Sequence, residues 1–295
     1  MTPESIEEIM HRVSLLEIKA RRLATETFSG EYQSSFKGSG LDFEDYREYQ
    51  HGDETRFIDW NVTARKETPF IRTFREEREI SVILTVDVSG SGVFGSSKLS
   101  KRELAAELAA IIAFCANING DKIGLLLFAN EPFLYLPPSK GTRHVLRIIR
   151  EILTAEPEDP GTSINSACHF LLHTVKRKAL VFMISDFIDH DFKKSLGAVA
   201  NKHDTIALRI FDPLERKLPK VGKVTLTDPE TGWQTVVNTN NGAVRMSFDK
   251  LTRQHHEGTS QLFKKLRIDE AQLSTTDDYL PALHKLFKTR TKHRK

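Results

Sequence analysis

The pattern of hydrophobic positions along the chain changes character at residue 80. From there, short runs of β-branched and aliphatic residues alternate with longer segments whose apolar residues recur at helical spacing. The short runs predict strands at 80–86, 122–128, 133–136, 179–185, 204–211 and 267–273. The longer segments predict helices near 100–118, 141–154, 163–175, 191–201, 244–265 and 278–288. This alternation predicts an α/β domain with a doubly wound, mostly parallel sheet and helices on both faces.

Residues 219–240 interrupt the alternation. Two strand-like runs flank the segment Asp228-Pro-Glu-Thr-Gly232, which carries the residue types of a tight turn. We therefore predict a small antiparallel β-hairpin inserted at about 219–240 into a domain that spans 80–288.

The first 79 residues follow a different pattern. Within 4–27, apolar residues lie near helical spacing with charges of both signs between them, which predicts an amphipathic helix docked on the main body. Residues 28–79 are rich in glycine, charge and aromatic side chains and predict a layer of loops and short strands, with 70–74 as the best strand candidate. We predict that this N-terminal helix and charged loop layer, 1–79, pack on the main domain and that 289–295 form a solvated basic tail.

Charge and composition exclude several classes of protein. Of the 295 residues, 39% are hydrophobic and 28% are charged, as in ordinary globular proteins. The net charge of +3 arises from the last eight residues, because the rest of the chain holds 38 basic against 40 acidic side chains. The body is nearly neutral, so we expect no nucleic-acid partner; binding of nucleic acid through the basic tail is kept as an alternative.

We also expect a cytoplasmic protein with no transmembrane segment. No apolar run approaches the roughly 20 residues that a bilayer requires, and the N-terminus lacks the basic flank and apolar stretch of a signal peptide. Cys115 and Cys168 lie within apolar, helix-like patterns, so no disulfide framework is indicated. A reducing compartment fits this cysteine usage.

Polar side chains with metal-ligand chemistry follow the two strongest buried strands. The first strand ends in Asp87-Val-Ser-Gly-Ser91, and Asp186 follows the other. Ligands of open parallel sheets bind beyond the carboxyl ends of the strands, where the strand order reverses. Thr162 adds a third hydroxyl from a Pro-Gly-Thr-Ser segment, although Thr162 or Ser163 could equally cap the helix that follows. Two carboxylates and three hydroxyls suit Mg²⁺, which prefers oxygen ligands and retains several waters.

This set resembles the metal-ion-dependent adhesion site of von Willebrand factor A-type domains. There the motif is Asp-x-Ser-x-Ser on the first loop, a Thr on the second and an Asp on the third. The resemblance implies that the metal ligands here are Asp87, Ser89, Ser91, Thr162 and Asp186. It also implies a non-enzymatic protein-interaction module in which Mg²⁺, with Mn²⁺ and Ca²⁺ as alternatives, engages an acidic residue of a protein partner.

A second resemblance covers most of the chain. The sequence is similar to bacterial proteins catalogued as domain of unknown function 58. The similar segments include Gly38-Ser-Gly-Leu-Asp-Phe43, Gly52-Asp53, Ile58-Asp59-Trp60, Arg75-Glu-Glu-Arg-Glu79, Pro137-Pro-Ser-Lys-Gly141 and Asp228-Pro-Glu-Thr-Gly232. Relatives of this kind are typically encoded beside MoxR-type AAA+ ATPases. The resemblance therefore implies such an ATPase, or its client, as the protein partner.

An enzyme is the alternative reading of the same site. A Mg²⁺-dependent phosphatase-like hydrolase of the haloacid-dehalogenase kind would use Asp87 as nucleophile and needs a second acid two residues later, where Ser89 stands. It also needs a lysine to neutralise the phosphorylated aspartate, and Lys178 and Lys193 are both open candidates. The missing acid favours the binding module over the hydrolase.

Two interpretations of the charged segment are open. One is a buried hydrogen-bonded cluster with Trp60 packed beneath it, and the other is a partner-recognition surface. The residues in question are Asp53, Arg56, Asp59 and Arg65. The planar guanidinium of arginine suits paired carboxylates, which favours the buried cluster.

Overall fold

The computed structural model describes residues 6–36, 41–66, 68–76, 80–96 and 99–293. The chain forms two compact units. One comprises the residues up to Ser35 together with those from Ile80 onward, and the other comprises Phe36–Glu79. The N-terminal helix therefore belongs to the same unit as the α/β domain, whereas the sequence pattern grouped it with the charged layer.

Helices and strands alternate through most of the chain. The helices are α1 (Ile6–Leu23), α2 (Ser29–Phe36), α3 (Trp60–Lys66), α4 (Lys101–Ile118), α5 (Thr142–Leu153), α6 (Ile164–Thr174), α7 (Lys193–Lys202), α8 (Pro213–Arg216), α9 (Gly242–Leu266) and α10 (Leu280–His293). The strands are β1 (Leu41–Glu48), β2 (Phe70–Glu76), β3 (Ser81–Asp87), β4 (Lys122–Phe128), β5 (Pro132–Ser139), β6 (Leu180–Ser185), β7 (Asp204–Phe211), β8 (Lys223–Thr227), β9 (Gln234–Asn238) and β10 (Asp269–Ser274). No helix in the described part of the chain is both long and apolar enough to cross a membrane.

The main sheet of the larger unit has six strands in the order β10-β7-β6-β3-β4-β5. Its strands are parallel except for the antiparallel β4–β5 pair. Strand β3 lies between β6 and β4, so the strand order reverses at β3 and the carboxyl ends of β3 and β6 lie side by side at the switch point of the sheet. The predicted α/β class, with a doubly wound and mostly parallel sheet, is confirmed.

Both faces of this sheet are covered, which explains why its central strands are continuous apolar runs. All six residues of β6 are buried. On one face, Val181 and Met183 of β6 join a core cluster with Leu171 of α6 and Phe263 of α9. Helix α4 packs against β3, β4 and β7 on the opposite face. The two buried faces hold the loops at the strand ends in a rigid frame.

Helix α1 packs on the α/β domain through α4. Arg12 donates to Glu103 at 2.8 Å, and Lys19 donates to Glu107 at 2.7 Å. Val13 and Ala20 of the helix are buried, and these ion pairs with α4 flank them.

The path beyond α1 differs from the prediction of loops and short strands from residue 28. A π-helical turn, Ala24–Phe28, continues α1 directly into α2. Ala20, Ala24, Phe28 and Tyr32 are all buried, at four-residue intervals. In a regular α-helix such a row drifts by about 40° per step. The wider π-helical turn compensates this drift and keeps the row facing the core.

The inserted hairpin is confirmed. Strands β8 and β9 pair antiparallel, from Lys223 opposite Asn238 to Thr227 opposite Gln234. The Gly232 N–H donates to the Asp228 carbonyl at 2.8 Å, and Gly232 has a φ of 72°. This left-handed backbone explains the glycine that ends the turn.

The basic C-terminal segment is helical as far as His293 rather than a solvated tail from residue 289. Arg290, within α10, is 5% exposed. Its guanidinium donates to Asp204 at 2.6 and 2.7 Å and also to Asp269. Because these aspartates begin the adjacent strands β7 and β10, the ion pairs hold α10 against that edge of the sheet.

In the smaller unit, β1 and β2 form an antiparallel pair, which contains the predicted strand at 70–74. Strand β1 was not predicted, because four of its eight residues are acidic. Helix α3 begins after Asp59, whose Oδ1 accepts from the N–H groups of Asn61 at 2.9 Å and Val62 at 3.2 Å. Asp59 therefore acts as the helix N-cap.

Among the described residues of this unit, the two aspartates of the predicted cluster form separate ion pairs rather than one buried cluster. Asp53 makes a bidentate pair with Arg47, with N–O distances of 2.7 and 2.9 Å. Asp59 accepts from Arg72 at 2.7 Å. Trp60 is 70% exposed and lies beneath neither pair. The buried-cluster interpretation is wrong because the cap formed by Asp59 places Trp60 at the outward-facing first position of α3.

Both cysteines are predicted to resist alkylation in the folded protein. Cys115 and Cys168 are fully buried, and burial raises the pKa of each thiol to about 12. Since the thiolate is the nucleophile, iodoacetamide at pH 8 should leave both unmodified within an hour, and both should react in guanidinium chloride. Mass spectrometry of the intact protein measures this. Modification of either cysteine at the same rate before and after unfolding would contradict the burial.

Candidate metal centre

The carboxyl ends of β3 and β6 are joined by Asp87. As the last residue of β3, Asp87 accepts from the Ser89 N–H through Oδ1 at 3.0 Å. Its Oδ2 accepts from the hydroxyl of Ser185, the last residue of β6, at 2.6 Å. Both carboxylate oxygens are thus held, and the orientation of this buried side chain is set by two adjacent strand ends.

The hydroxyls of the first loop lead from Asp87 toward Asp186. The Ser89 and Ser91 Oγ atoms lie 3.2 Å apart, and the Ser91 hydroxyl donates to Asp186 Oδ2 at 2.9 Å. A 3₁₀ turn, Gly90–Val93, carries Ser91 to this position. Four of the five predicted ligands are therefore brought together in one chain of contacts.

Thr162 lies on the loop beside this group. The N-cap of α6 is Ser163, whose Oγ accepts from the Ser166 N–H at 3.2 Å, so the Thr162 hydroxyl is not used as the cap. The Gly90 N–H donates to the Pro160 carbonyl at 2.8 Å and ties the two loops together. The Thr162 hydroxyl donates to Glu230 at 2.6 Å. The fifth predicted residue is thus engaged with the inserted hairpin.

A buried lysine forms an ion pair with Asp186. Lys101 Nζ donates to Asp186 Oδ2 at 2.7 Å and to Glu215 Oε1 at 2.6 Å, and its side chain is 1% exposed. Burial lowers the pKa of Lys101, but the two carboxylates outweigh burial and the pKa is raised overall. Lys101 is therefore a fixed cation, placed by the capping box that begins α4.

Glu215 is positioned in turn by Asp212. The Asp212 N–H donates to Glu215 Oε2 at 3.0 Å. The Asp212 carboxylate accepts from the Ser96 N–H at 2.8 Å, the Ser96 hydroxyl at 2.7 Å and the Thr275 hydroxyl at 2.7 Å. A continuous network thus runs from Asp212 through Glu215 and Lys101 to Asp186.

Negative charge is in surplus at these loops. Burial, and then the neighbouring charge of Asp186, raise the pKa of Asp87 to about 6. Burial and the charges of nearby aspartates raise the pKa of Glu230. Lys101 contacts Asp186, and the positive charge of Arg102 also acts on Asp87. Carboxylates brought together in a buried site resist ionisation unless a cation neutralises them.

The donor set fits a hard divalent cation. Among the described residues there is no group of three or more His, Cys, Asp or Glu side chains arranged to hold a metal. A site here therefore rests on two carboxylates, Asp87 and Asp186, with hydroxyl oxygens from the adjoining loops. That composition is one that Mg²⁺ accepts, because it needs few protein carboxylates and keeps bound waters.

Fold and site together define an α/β protein with carboxylates and hydroxyls at the switch point of a doubly wound sheet. The family model described as "Protein of unknown function DUF58" matches residues 45–258. The chain therefore belongs to the DUF58 family, as the sequence resemblance implied.

Several curated relatives and solved structures align with this chain. Uncharacterized proteins of Mycobacterium tuberculosis and Mycobacterium bovis are 29% identical over 268 residues, which is 90% of this chain and 84% of theirs. The conserved hypothetical protein BatB of Bacteroides thetaiotaomicron is 17% identical with a TM-score of 0.46, over 72% of this chain and 99% of that chain. The SpRpn10 VWA domain is 14% identical with a TM-score of 0.34, over 45% of this chain and 75% of that chain.

Four side chains of the site were not found from the sequence. They are Lys101, Ser185, Glu215 and Glu230. Ser185 was the easiest of the four to predict, because it directly precedes Asp186 at the end of a buried strand. Glu230 lies within the recognised turn segment, but nothing in the sequence indicates that this turn reaches a loop 68 residues earlier.

Proposed function

We propose that this protein is a non-enzymatic interaction module that holds Mg²⁺ and engages an acidic side chain of a protein partner. The residues that would hold the ion are Asp87, Ser89, Ser91, Thr162 and Asp186. The observation that carries the proposal is the contact chain from Asp87 through the two serine hydroxyls to Asp186 at the switch point of the sheet. When bound, the cation supplies a positive centre with a coordination position for a carboxylate.

The protein's own residues prepare this site before any partner arrives. Ser185 and the Ser89 N–H fix the orientation of Asp87. Lys101 and the Ser91 hydroxyl both donate to Oδ2 of Asp186, and the Ile188 N–H donates to its Oδ1 at 3.1 Å, so this carboxylate is also fixed. Such fixed ligands bind a cation without first paying for their own ordering. Mn²⁺ and Ca²⁺ use the same donor types and are the alternative ions.

The partner class we propose is a MoxR-type AAA+ ATPase or its client. The support for it is the resemblance of the sequence to proteins encoded beside such ATPases, together with membership of the DUF58 family. An acidic side chain on the partner matches the chemistry of the site, because a carboxylate is a strong ligand for a hard cation.

The hydrolase alternative has less support from the geometry. The second acid that such a hydrolase needs is missing from the site, because residue 89 is a serine whose Oγ lies 3.2 Å from the Ser91 Oγ. Lys178 lines a cavity with Asp204 and Asp269, which begin their strands at the opposite edge of the sheet. Lys101, the lysine in contact with the site, pairs with Asp186 instead.

Mg²⁺ titration by calorimetry tests the proposal. We expect saturable binding to the wild-type protein and a loss of affinity of about 100-fold or more in Asp87→Asn, which removes one charged ligand without changing its size. The exposed Asp277→Asn is the matched control and should bind as the wild type does. Absent binding in the wild type, or equal binding in Asp87→Asn, would overturn the metal site.

Two further assays separate the module from its alternatives. A purified MoxR-type ATPase from the same genome should bind wild type and Asp277→Asn but not Asp87→Asn, with Mg²⁺ present throughout. Equal binding to all three would overturn the metal-bridged interaction. Hydrolysis of p-nitrophenyl phosphate that needs Mg²⁺ and disappears in Asp87→Asn would overturn the non-enzymatic reading and support the hydrolase.

A further inference from the structure

The turn of the β8–β9 hairpin directs one side chain toward the candidate metal centre. Between Thr227 and Gln234, Glu230 is half-buried, while its neighbours in the turn are exposed. Its carboxylate accepts from the Thr162 hydroxyl at 2.6 Å. The charge of Asp186 also acts on it. Glu230 is therefore close to residues on two of the three loops of the site.

The backbone of the same turn packs against the first loop, which carries Ser89 and Ser91. A Cβ atom added to Gly90 would lie 2.4 Å from the Pro229 carbonyl oxygen and 3.0 Å from its carbon. Gly90 lies between Ser89 and Ser91, so the turn closely approaches the segment that carries both serine hydroxyls. A glycine is needed there because any side chain would meet the turn.

The position of Glu230 is set by hydrogen bonds within the turn. Asp228 accepts from the Glu230 N–H at 3.0 Å and from the Thr231 hydroxyl at 2.5 Å. The Asp228 N–H donates to the Trp233 carbonyl at 2.8 Å and closes the turn. The hairpin therefore presents a preorganised carboxylate, of the chemical kind that a partner would bring to the site.

We propose that Glu230 is an internal acidic ligand of the metal centre, which a partner's carboxylate must displace together with the hairpin turn. This inference rests on the proposed function. An internal ligand competes at the high effective concentration that tethering provides, about millimolar for short flexible links. Isolated carboxylates are thus excluded, and only a partner that also contacts the hairpin gains access.

The test compares Glu230→Gln with Glu158→Gln, an exposed glutamate four residues before Thr162 in the chain. In calorimetry, Glu230→Gln should weaken Mg²⁺ binding by about tenfold, because an uncharged amide replaces a charged ligand. Glu158→Gln should bind as the wild type does. With Mg²⁺ saturating, the ¹⁹F signal of fluoroacetate, a small carboxylate probe, should broaden with Glu230→Gln and stay sharp with the wild type and Glu158→Gln.

A variant on the opposite loop tests the same contact independently. Gly90→Ala should force the turn outward, so that fluoroacetate broadens although Glu230 is intact. If the wild type binds Mg²⁺ and Glu230→Gln has the same Mg²⁺ affinity and the same fluoroacetate spectrum, Glu230 is not an internal ligand. The metal site itself would not be contradicted by that result. Absent Mg²⁺ binding in the wild type would overturn both proposals.

Discussion

Replacing Lys101 by methionine is expected to lower the free energy of unfolding by about 3–5 kcal/mol in the absence of divalent metal, the cost of breaking a buried ion pair from one side. The Lys101 ammonium is buried and contacts both Asp186 and Glu215. Methionine keeps a stem of similar length and removes the charge, so both carboxylates lose their shared cation. Guanidinium unfolding in EDTA measures the change.

Two further variants test whether the loss of stability comes from the buried ion pairs of Lys101. Lys265→Met, on the exposed surface of α9, should change the free energy of unfolding by less than about 0.5 kcal/mol. The double variant Lys101→Met with Glu215→Gln should recover part of the loss, because one of the two unpaired charges is gone. A loss of less than about 1 kcal/mol in Lys101→Met, which is the scale of an exposed ion pair, would contradict the stabilising role of the buried Lys101 pairs.

Asp212→Asn is expected to lower the free energy of unfolding by about 2–4 kcal/mol at pH 7. The fully buried carboxylate accepts from Ser96 and Thr275, and an amide in its place turns a donor group toward one set of these donors. Exposed Asp277→Asn serves as control, with little change. A loss below about 1 kcal/mol would mean that the network tolerates the amide, since one neutral hydrogen bond contributes about that much.

The effect of Asp212 should depend on pH. Burial acts to raise its pKa, but the hydrogen bonds from Ser96, Thr275 and Leu214 outweigh burial and lower the pKa below that of an ordinary aspartate. The carboxylate therefore stabilises the fold fully above the unfolded pKa of about 4 and loses this contribution as the pH falls toward its folded pKa. The difference between wild type and Asp212→Asn should narrow between pH 5 and pH 3, and a constant difference would contradict the shift.

Both substitutions, Lys101→Met and Asp212→Asn, act on the hydrogen-bond network that ends at Asp186 of the candidate metal centre. The Asp212 carboxylate caps α8 by accepting from the Leu214 N–H at 2.9 Å, and α8 carries Glu215. Glu215 in turn contacts Lys101, which contacts Asp186. Mg²⁺ should therefore restore more stability to Lys101→Met than to the wild type if it binds at Asp186, because it replaces the missing positive charge. This links the stability measurements to the proposed function.

The fold of the larger unit was predictable because its signals are local. A strand buried on both faces must be apolar along its whole length, and 81–87 and 180–185 carry that signature. The hairpin was predictable for the same reason, since Asp228-Pro-Glu-Thr-Gly232 specifies its own turn. The extended helical path through α2 was missed because residues 29–36 hold a glycine, three serines and only two aromatic residues, a composition typical of a loop.

The candidate metal centre was only partly predictable. Asp87, Ser89, Ser91 and Asp186 follow from strand ends, because parallel strands bring their carboxyl ends to one edge. Lys101 reaches Asp186 across 85 residues and Glu230 reaches Thr162 across 68. No periodicity along the chain encodes such contacts, since they depend on how a helix start and an inserted hairpin pack against the sheet.

The sequence by itself determined the α/β class, the inserted hairpin, the family and four side chains at the switch point, all through residues close to one another in the chain. Only the tertiary structure decided which charges are neutralised, which carboxylate of the hairpin contacts Thr162 and which basic residues are buried. Arg290 shows the difference, because a lysine- and arginine-rich terminus is predicted to be solvated until Asp204 and Asp269 are brought beside it. Charge pairing is a property of three-dimensional proximity, and a sequence pattern reports it only when the partners are neighbours.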